Sequence, residues 1–131
     1  MDLPSSVEAV AEQVRTALEA DDLSAFSDLL DPEVQWGAPD SRVPTCRNRE
    51  QVLAWYKRGR AAGARAQVSE VVVIEDRILV GMTVRGSKQA RSRGGAALRW
   101  QVLTVGNGRI VDITGFGDRS EALARLERAQ Q

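Results

Sequence analysis

The chain contains no histidine. That absence removes Ser-His and Cys-His nucleophile activation and the usual imidazole base. It also leaves zinc one thiol and carboxylates, a poor donor set. Any acid–base step therefore falls to Asp, Glu, Lys, Tyr or Cys. Two such groups stand in informative places and are candidate catalytic residues: Asp112, inside the β-branched run RIVDITGFG (109–117), and Tyr56, beside Trp55 in QVLAWYKR. For Asp112 the simpler reading is a surface carboxylate with Arg99 or Arg109 as its ion-pair partner. Cys46, the single cysteine, has no histidine to activate it. Asp118 precedes Ser-Glu-Ala-Leu, where a helix cap is the simpler role.

A second group of residues could build a ligand pocket. Trp36, Trp55, Tyr56 and Trp100 could form an aromatic cage, or each could fill the core. Three tryptophans against two phenylalanines favour rings with a polar handle. Met82 is adaptable wall or core. Gln101 and Ile113 lie on the last two β-branched runs, and Gly115 leaves space beside the backbone of its strand.

Composition narrows the partners. The length suits one domain, and 43% apolar with 27% charged residues is an ordinary globular balance. Eighteen basic and eighteen acidic residues cancel, so no overall field attracts nucleic acid or an anionic membrane. No apolar run approaches the ~20 residues that span a bilayer. The start, MDLPSSVEAV, lacks the basic flank and apolar run of a signal peptide, and a lone cysteine suits a reducing compartment; a cytoplasmic protein is expected.

The elements that must position these residues follow from pattern. SSVEAVAEQVRTALEA (5–20) opens with Ser5 three residues before Glu8, a capping box, and repeats apolar residues at helical spacing. Asp21 or Asp22 caps a second short helix with Leu23, Phe26, Leu29 and Leu30 inward, stopped by Pro32. EVQWG (33–37) reads as a strand. Asn48 and Gln51 cap a third helix that ends near Gly63. Four strands follow: 66–74 and 77–85 around Glu75-Asp76, then 97–105 and 109–117 around Asn107-Gly108, a strong hairpin signal. The basic loop GSKQARSRGG (86–95), with Lys88, Arg91 and Arg93, reads as a solvated face. Asp118 with Glu121, or Ser120, starts a closing helix. The order implies an α+β fold with helices on one face of a curved antiparallel sheet and a pocket at its open end.

Strand alternation then sorts the last two strands. If Asn107-Gly108 is a two-residue turn, Val105 opposes Ile110, and opposed residues share a face. Leu98, Trp100, Val102 and Thr104 then join Val111, Ile113 and Gly115. Arg99, Gln101, Leu103 and Val105 join Ile110, Asp112, Thr114 and Phe116. The first set is more uniformly apolar and is expected to face the helices and pocket. The mixed second set is expected to meet water or, through Leu103, Val105, Ile110 and Phe116, a partner subunit. A β-bulge between 98 and 103 would turn Gln101 or Arg99 inward.

VRTALEADDLSAFSDLLDPEVQW, NREQVLAWY and VGNGRIVDITGFGDRSEAL together resemble the nuclear transport factor 2 superfamily, with its SnoaL-like polyketide cyclases, ketosteroid isomerases and limonene epoxide hydrolases. The resemblance implies a single SnoaL-like domain over 1–131. It implies a cone-shaped, cystatin-like α+β fold, a curved antiparallel sheet of four to five strands against three to four helices. Ketosteroid isomerases use a tyrosine in the first helix and aspartates on the first and penultimate strands; Val14, Gly37 and Trp100 or Gln101 stand there. SnoaL-like cyclases use an aspartate late in the last strand and a histidine on the strand before; Gly115 and Gln101 stand there. Epoxide hydrolases need an Asp-Arg-Asp set, which again meets Gly115, and GMTVR supplies no adjacent carboxylate. These chemistries are therefore not expected. The resemblance implies instead a small hydrophobic ligand, polyketide- or steroid-like, in a pocket of Trp36, Trp55, Tyr56, Met82, Trp100, Gln101, Ile113 and Gly115. Any reaction would be a cofactor-free isomerisation, cyclisation or hydration in a homodimer paired through the sheet. The alternative is a non-catalytic dimerisation or protein-interaction module.

Overall fold

In the structure, a computed structural model, residues 6–38, 43–86 and 94–128 are described. Ser6 rather than Ser5 caps the first helix: its Oγ accepts from the Ala9 amide at 3.1 Å. Ser5, and Lys88, Arg91 and Arg93 of the basic loop, lie outside the described residues. Helix α1 (Val7–Glu19) buries Val10, Ala11, Val14 and Ala17, one stripe at helical spacing. Asp21 then takes a left-handed backbone (φ 55°) and Asp22 caps α2 (Leu23–Leu29) through its side chain on the Ala25 amide. The residue before a proline is forced extended, so strand β1 (Leu30–Gly37) begins before Pro32.

Asn48 and Gln51 form a reciprocal cap on α3 (Arg49–Ala61). Asn48 Oδ1 accepts from the Gln51 amide at 2.9 Å, and Gln51 Oε1 from the Arg47 amide at 2.7 Å. Strands β2 (Arg65–Ile74) and β3 (Arg77–Arg85) are joined at Glu75-Asp76. Strands β4 (Ala96–Gly106) and β5 (Arg109–Phe116) are joined at Asn107-Gly108, where both residues have positive φ, the geometry that this dipeptide favours. Helix α4 (Arg119–Arg128) closes the chain; Asp118 Oδ1 accepts from the Ser120 amide at its start.

The sheet order is β1-β5-β4-β3-β2. Four strands form the expected antiparallel meander, but β1 pairs with β5 in parallel, so the sheet is mixed. Its ladder breaks between Leu30 and Gln35, where Pro32 has no amide to donate, a break that an edge strand tolerates. Irregularities at Ser69 in β2 and Val111 in β5 interrupt the β2–β3 and β4–β5 ladders, and such bulges bend a sheet.

Two apolar layers sandwich this sheet, which corrects the expectation that all helices pack on one face. The main core joins α1, α2 and α3 to Ile78, Val80, Met82, Leu103, Val105, Ile110 and Ile113. A smaller core on the opposite face joins Leu79, Val102 and Phe116 to Ala122 and Leu126 of α4.

That second layer reverses the assignment of β4. Trp100 and Val102 made a clean apolar face because α4 covers them, and the side bearing Arg99, Gln101, Leu103 and Val105 is the inner one. No bulge between 98 and 103 is involved, since β4 pairs regularly with β3 from Ala96 to Thr104. The irregularity lies at Val111 instead, so Ile110 and Ile113 both point inward while Asp112, Thr114 and Phe116 point out. Leu103, Val105, Ile110 and Phe116, expected on a partner face, are all buried within the chain.

Candidate functional site

Where the sheet opens away from the core, a cavity of about 440 Å³ lies between α3 and the inner faces of β3, β4 and β5. That volume suits a small organic ligand. Along the inner face of β4, Leu103 is sealed, Gln101 is 6% exposed, Arg99 is half-exposed, and Ala97, which also lines the cavity, is buried.

Trp36, Trp55 and Tyr56 meet at one wall. The Trp36 and Tyr56 rings stack at 5.2 Å with 29° between planes, and Trp55 sets its edge on Trp36 at 5.8 Å. Phe26 closes the back of Tyr56 edge-on at 5.3 Å. Aromatic pairs in these arrangements add favourable quadrupole contacts to the area that they bury. Trp55, at the rim, is 45% exposed.

The polar centre of the site joins residues 45 apart. The Tyr56 hydroxyl lies 3.4 Å from Gln101 Oε1, to which it can donate, and 3.3 Å from Gln101 Nε2, from which it can accept. Burial pushes the Tyr56 phenol up from 10.0 to about 12; the Gln101 hydrogen bond opposes this and the nearby Cys46 adds to it. Tyr56 is therefore neutral at ordinary pH, a hydrogen-bond donor and not a base. Burial likewise raises the Cys46 thiol, partly offset by Arg58, which keeps it from being a ready nucleophile.

Met82 and Gly115 complete the sheet wall. Gly115 is paired with Gln101, and a Cβ built on it would stand 3.6 Å from Trp36 Nε1, ordinary contact distance. Trp100 borders the cavity, but its ring lies across Gly81 on the other sheet face, under the Arg119 guanidinium at 5.9 Å. Arg119 is itself held by Glu70, whose carboxyl it keeps below the usual range. Ile113 is sealed in the core and does not line the cavity. Asp112 is on the outer face, where its Oδ2 accepts from the Thr114 hydroxyl at 3.0 Å; Arg99 lies on the opposite face. Val14 is sealed in the core, and Gly37 abuts the Pro44 backbone.

The sequence reading did not single out the corner between α1 and α3. There Ala17 and Leu18 line the cavity, and Arg60 pairs with Asp21 at 2.9 Å. The available signal was Asp21 itself, left over once Asp22 had become the cap. Among the described residues, no group of three or more His, Cys, Asp or Glu could hold a metal ion. No helix among them is long and apolar enough to cross a membrane.

Comparison with known proteins agrees with this architecture. A protein of Sinorhizobium meliloti provisionally named a polyketide cyclase is 22% identical, with a TM-score of 0.62 over 82% of this chain and 93% of that one. A Kribbella flavida protein provisionally named a ketosteroid isomerase is 15% identical, with a TM-score of 0.67 over 86% and 78%. An NTF2-like protein of unknown function from Burkholderia pseudomallei is 22% identical, with a TM-score of 0.64 over 92% and 95%. At such identities the likeness is one of fold. No curated protein matches the sequence. The SnoaL-like domain model matches residues 10–113, most of the chain and all the elements that enclose the cavity except the first turn of α1 and the end of β5, and the chain belongs to that family.

Proposed function

We propose that this SnoaL-like domain binds a small, rigid hydrophobic metabolite, with apolar rings against Trp36, Trp55 and Tyr56 and one carbonyl or hydroxyl at the Tyr56–Gln101 pair. The observation that carries the reading is that pair, a phenol and an amide beside aromatic and aliphatic walls in a cavity whose charged lining residues are Asp21, Asp22, Arg60, Arg65 and Arg99. Burying such groups without partners costs free energy, so a ligand that supplies a hydrogen-bonding atom there is favoured over a bare hydrocarbon. Both groups are neutral. They can orient a ligand and donate to a carbonyl oxygen as negative charge grows on it, the contribution that a cofactor-independent isomerase or cyclase needs. Proton abstraction would have to come from another group or from the ligand.

The test is a titration read by tryptophan fluorescence, with a panel of steroid-like and aromatic polyketide-like compounds. A ring ketone should shift the emission, since Trp36 and Trp55 line the cavity, and Tyr56→Phe should weaken its binding several-fold. No shift with any member of the panel overturns the reading.

A cytoplasmic homodimer paired through the sheet is part of the proposal. Its support is Leu98, 56% exposed on the outer sheet face two residues from the half-exposed Trp100. The same feature favours the second reading, a non-catalytic dimerisation or protein-interaction module.

A further inference from the structure

Gly115 has neither of the usual structural reasons to be a glycine. Its backbone is not left-handed, unlike that of Gly108, so a side chain would not strain it. Nor is it crowded: a Cβ there would meet, among the described residues, only Trp36 Nε1 at 3.6 Å, whereas one at Gly81 would strike the Trp100 ring. What the missing Cβ leaves is open volume on a strand that lines the cavity.

Hydrogen-bonding groups flank that volume on both sides, because β5 lies between β1 and β4 in the sheet. From β1 comes the indole N–H of Trp36, a group that can only donate. It has no hydrogen-bond partner among the described residues, and it is not sealed: the buried side-chain donor left without a partner among them is Arg77 Nε. From β4 comes Gln101, paired with Gly115 across the ladder and carrying its amide against the Tyr56 hydroxyl. Residues so opposed hold their Cβ positions roughly 5 Å apart. The Tyr56–Gln101 pair keeps a donor to spare in either arrangement: the phenol O–H when Gln101 Nε2 donates to it, or the amide N–H when the phenol donates to Oε1. An oxygen seated over Gly115 thus has a neutral donor on each side, and a carbonyl oxygen has two lone pairs to offer them. A bare hydrocarbon in the same place leaves both donors beside apolar walls without a partner, which costs free energy.

We propose that the inner face of Gly115 is a carbonyl seat. A ring ketone places its oxygen there and accepts one hydrogen bond from Trp36 Nε1 and a second from the Tyr56–Gln101 pair. The proposal rests on the binding reading above and adds to it the position of the oxygen and a second donor. Trp36 is then a specificity residue as well as an aromatic wall.

The experiment compares 1-indanone with indane, one bicyclic skeleton with and without the carbonyl, by calorimetry, and reads the carbonyl stretch of bound indanone by isotope-edited infrared spectroscopy. Trp36→Phe keeps a ring in the wall and removes its donor. Gly115→Ala, for which the structure has room, fills the seat. Each should weaken indanone about fivefold, the scale of one neutral hydrogen bond, and change indane much less. Each should also raise the carbonyl stretch of bound indanone, since a carbonyl that accepts fewer hydrogen bonds is stiffer. A circular dichroism melt of each variant confirms the fold. Binding of neither probe by the natural protein overturns the seat and the binding reading together. Equal affinity for the two probes overturns the seat, and with it the preference for a hydrogen-bonding ligand. A preference for indanone whose size and carbonyl stretch are unmoved by both substitutions overturns the seat and leaves the binding reading intact; Gly115→Ala decides this alone where Trp36→Phe does not fold.

Discussion

Tyr56 is the only tyrosine in the chain, so its ionisation can be followed without interference. Its phenol is raised to about 12 in the fold, whereas an unfolded tyrosine ionises near 10. The sign follows from linkage: the folded state binds the proton more tightly, so the contribution to stability is whole below about pH 10 and is lost as pH rises towards 12. Tyrosinate absorbance should titrate near 12 in the native protein and near 10 in strong urea, and Tyr56→Phe should flatten the alkaline loss of stability. A native midpoint near 10 would mean that the hydroxyl meets water. Gly115 makes a second prediction at this scale. Its missing Cβ has room, and Trp36 Nε1 is near enough to serve a new carboxylate as donor. Gly115→Asp should therefore cost only about 1 kcal/mol in a urea melt, the low end for burying a polar group. The natural protein should show no turnover of ketosteroid isomerase, epoxide hydrolase or SnoaL-type cyclase substrates above background; turnover would point to an acid elsewhere, with Asp112 first to be replaced.

Among the elements, β3 and β4 are joined by a contact that side-chain patterns do not announce. Gly81 leaves its strand bare, and the Trp100 ring lies against it; a methyl there would stand 2.7 Å from Trp100 Cε3 and closer still to Cζ3. Arg119 of α4 sits over that ring and reaches Glu70 of β2. One glycine thus lets an indole tie the sheet to the closing helix. Gly81→Ala should destabilise the protein by about 1–3 kcal/mol through overpacking. In a Trp100→Leu background the same substitution should cost much less, because the ring that it strikes is gone. Equal costs in both backgrounds, read from urea melts, would show that the glycine serves the strand's backbone and not the ring.

The whole molecule is a mixed sheet with a large layer on one side and a small one on the other. Helix α4 is ten residues long, against thirteen for α1 and for α3, so the outer sheet face is less covered than the inner. Thr104 and Asp112 remain half-exposed on it, with Leu98 exposed near its edge. Light scattering at high micromolar concentration should give the mass of a dimer, and Leu98→Asp should move it towards monomer. A monomer for the natural protein would remove the sheet-paired dimer.

What the sequence determined on its own is whatever neighbours in the chain decide. Asn48 with Gln51, Asp22, and Asn107-Gly108 each act over two to four residues, and they cap or turn the chain where expected. The Ser6 cap, one residue past Ser5, shows the resolution of such signals. Helical stripes in α1 and β-branched runs in the last four strands were equally local. The tertiary structure alone decided which side of β4 looks inward. Side chains alternate with period two, so a strand apolar on both faces offers two assignments that differ only in what covers each face. Helix α4 covered the cleaner one, and the extra residue at Val111 put Ile110 and Ile113 on the same side. The parallel seat of β1 beside β5 was likewise set by packing, since no turn joins them. The Tyr56–Gln101 pair depended on both outcomes, because two residues 45 apart meet only after helix α3 and the inner face of β4 have been laid together.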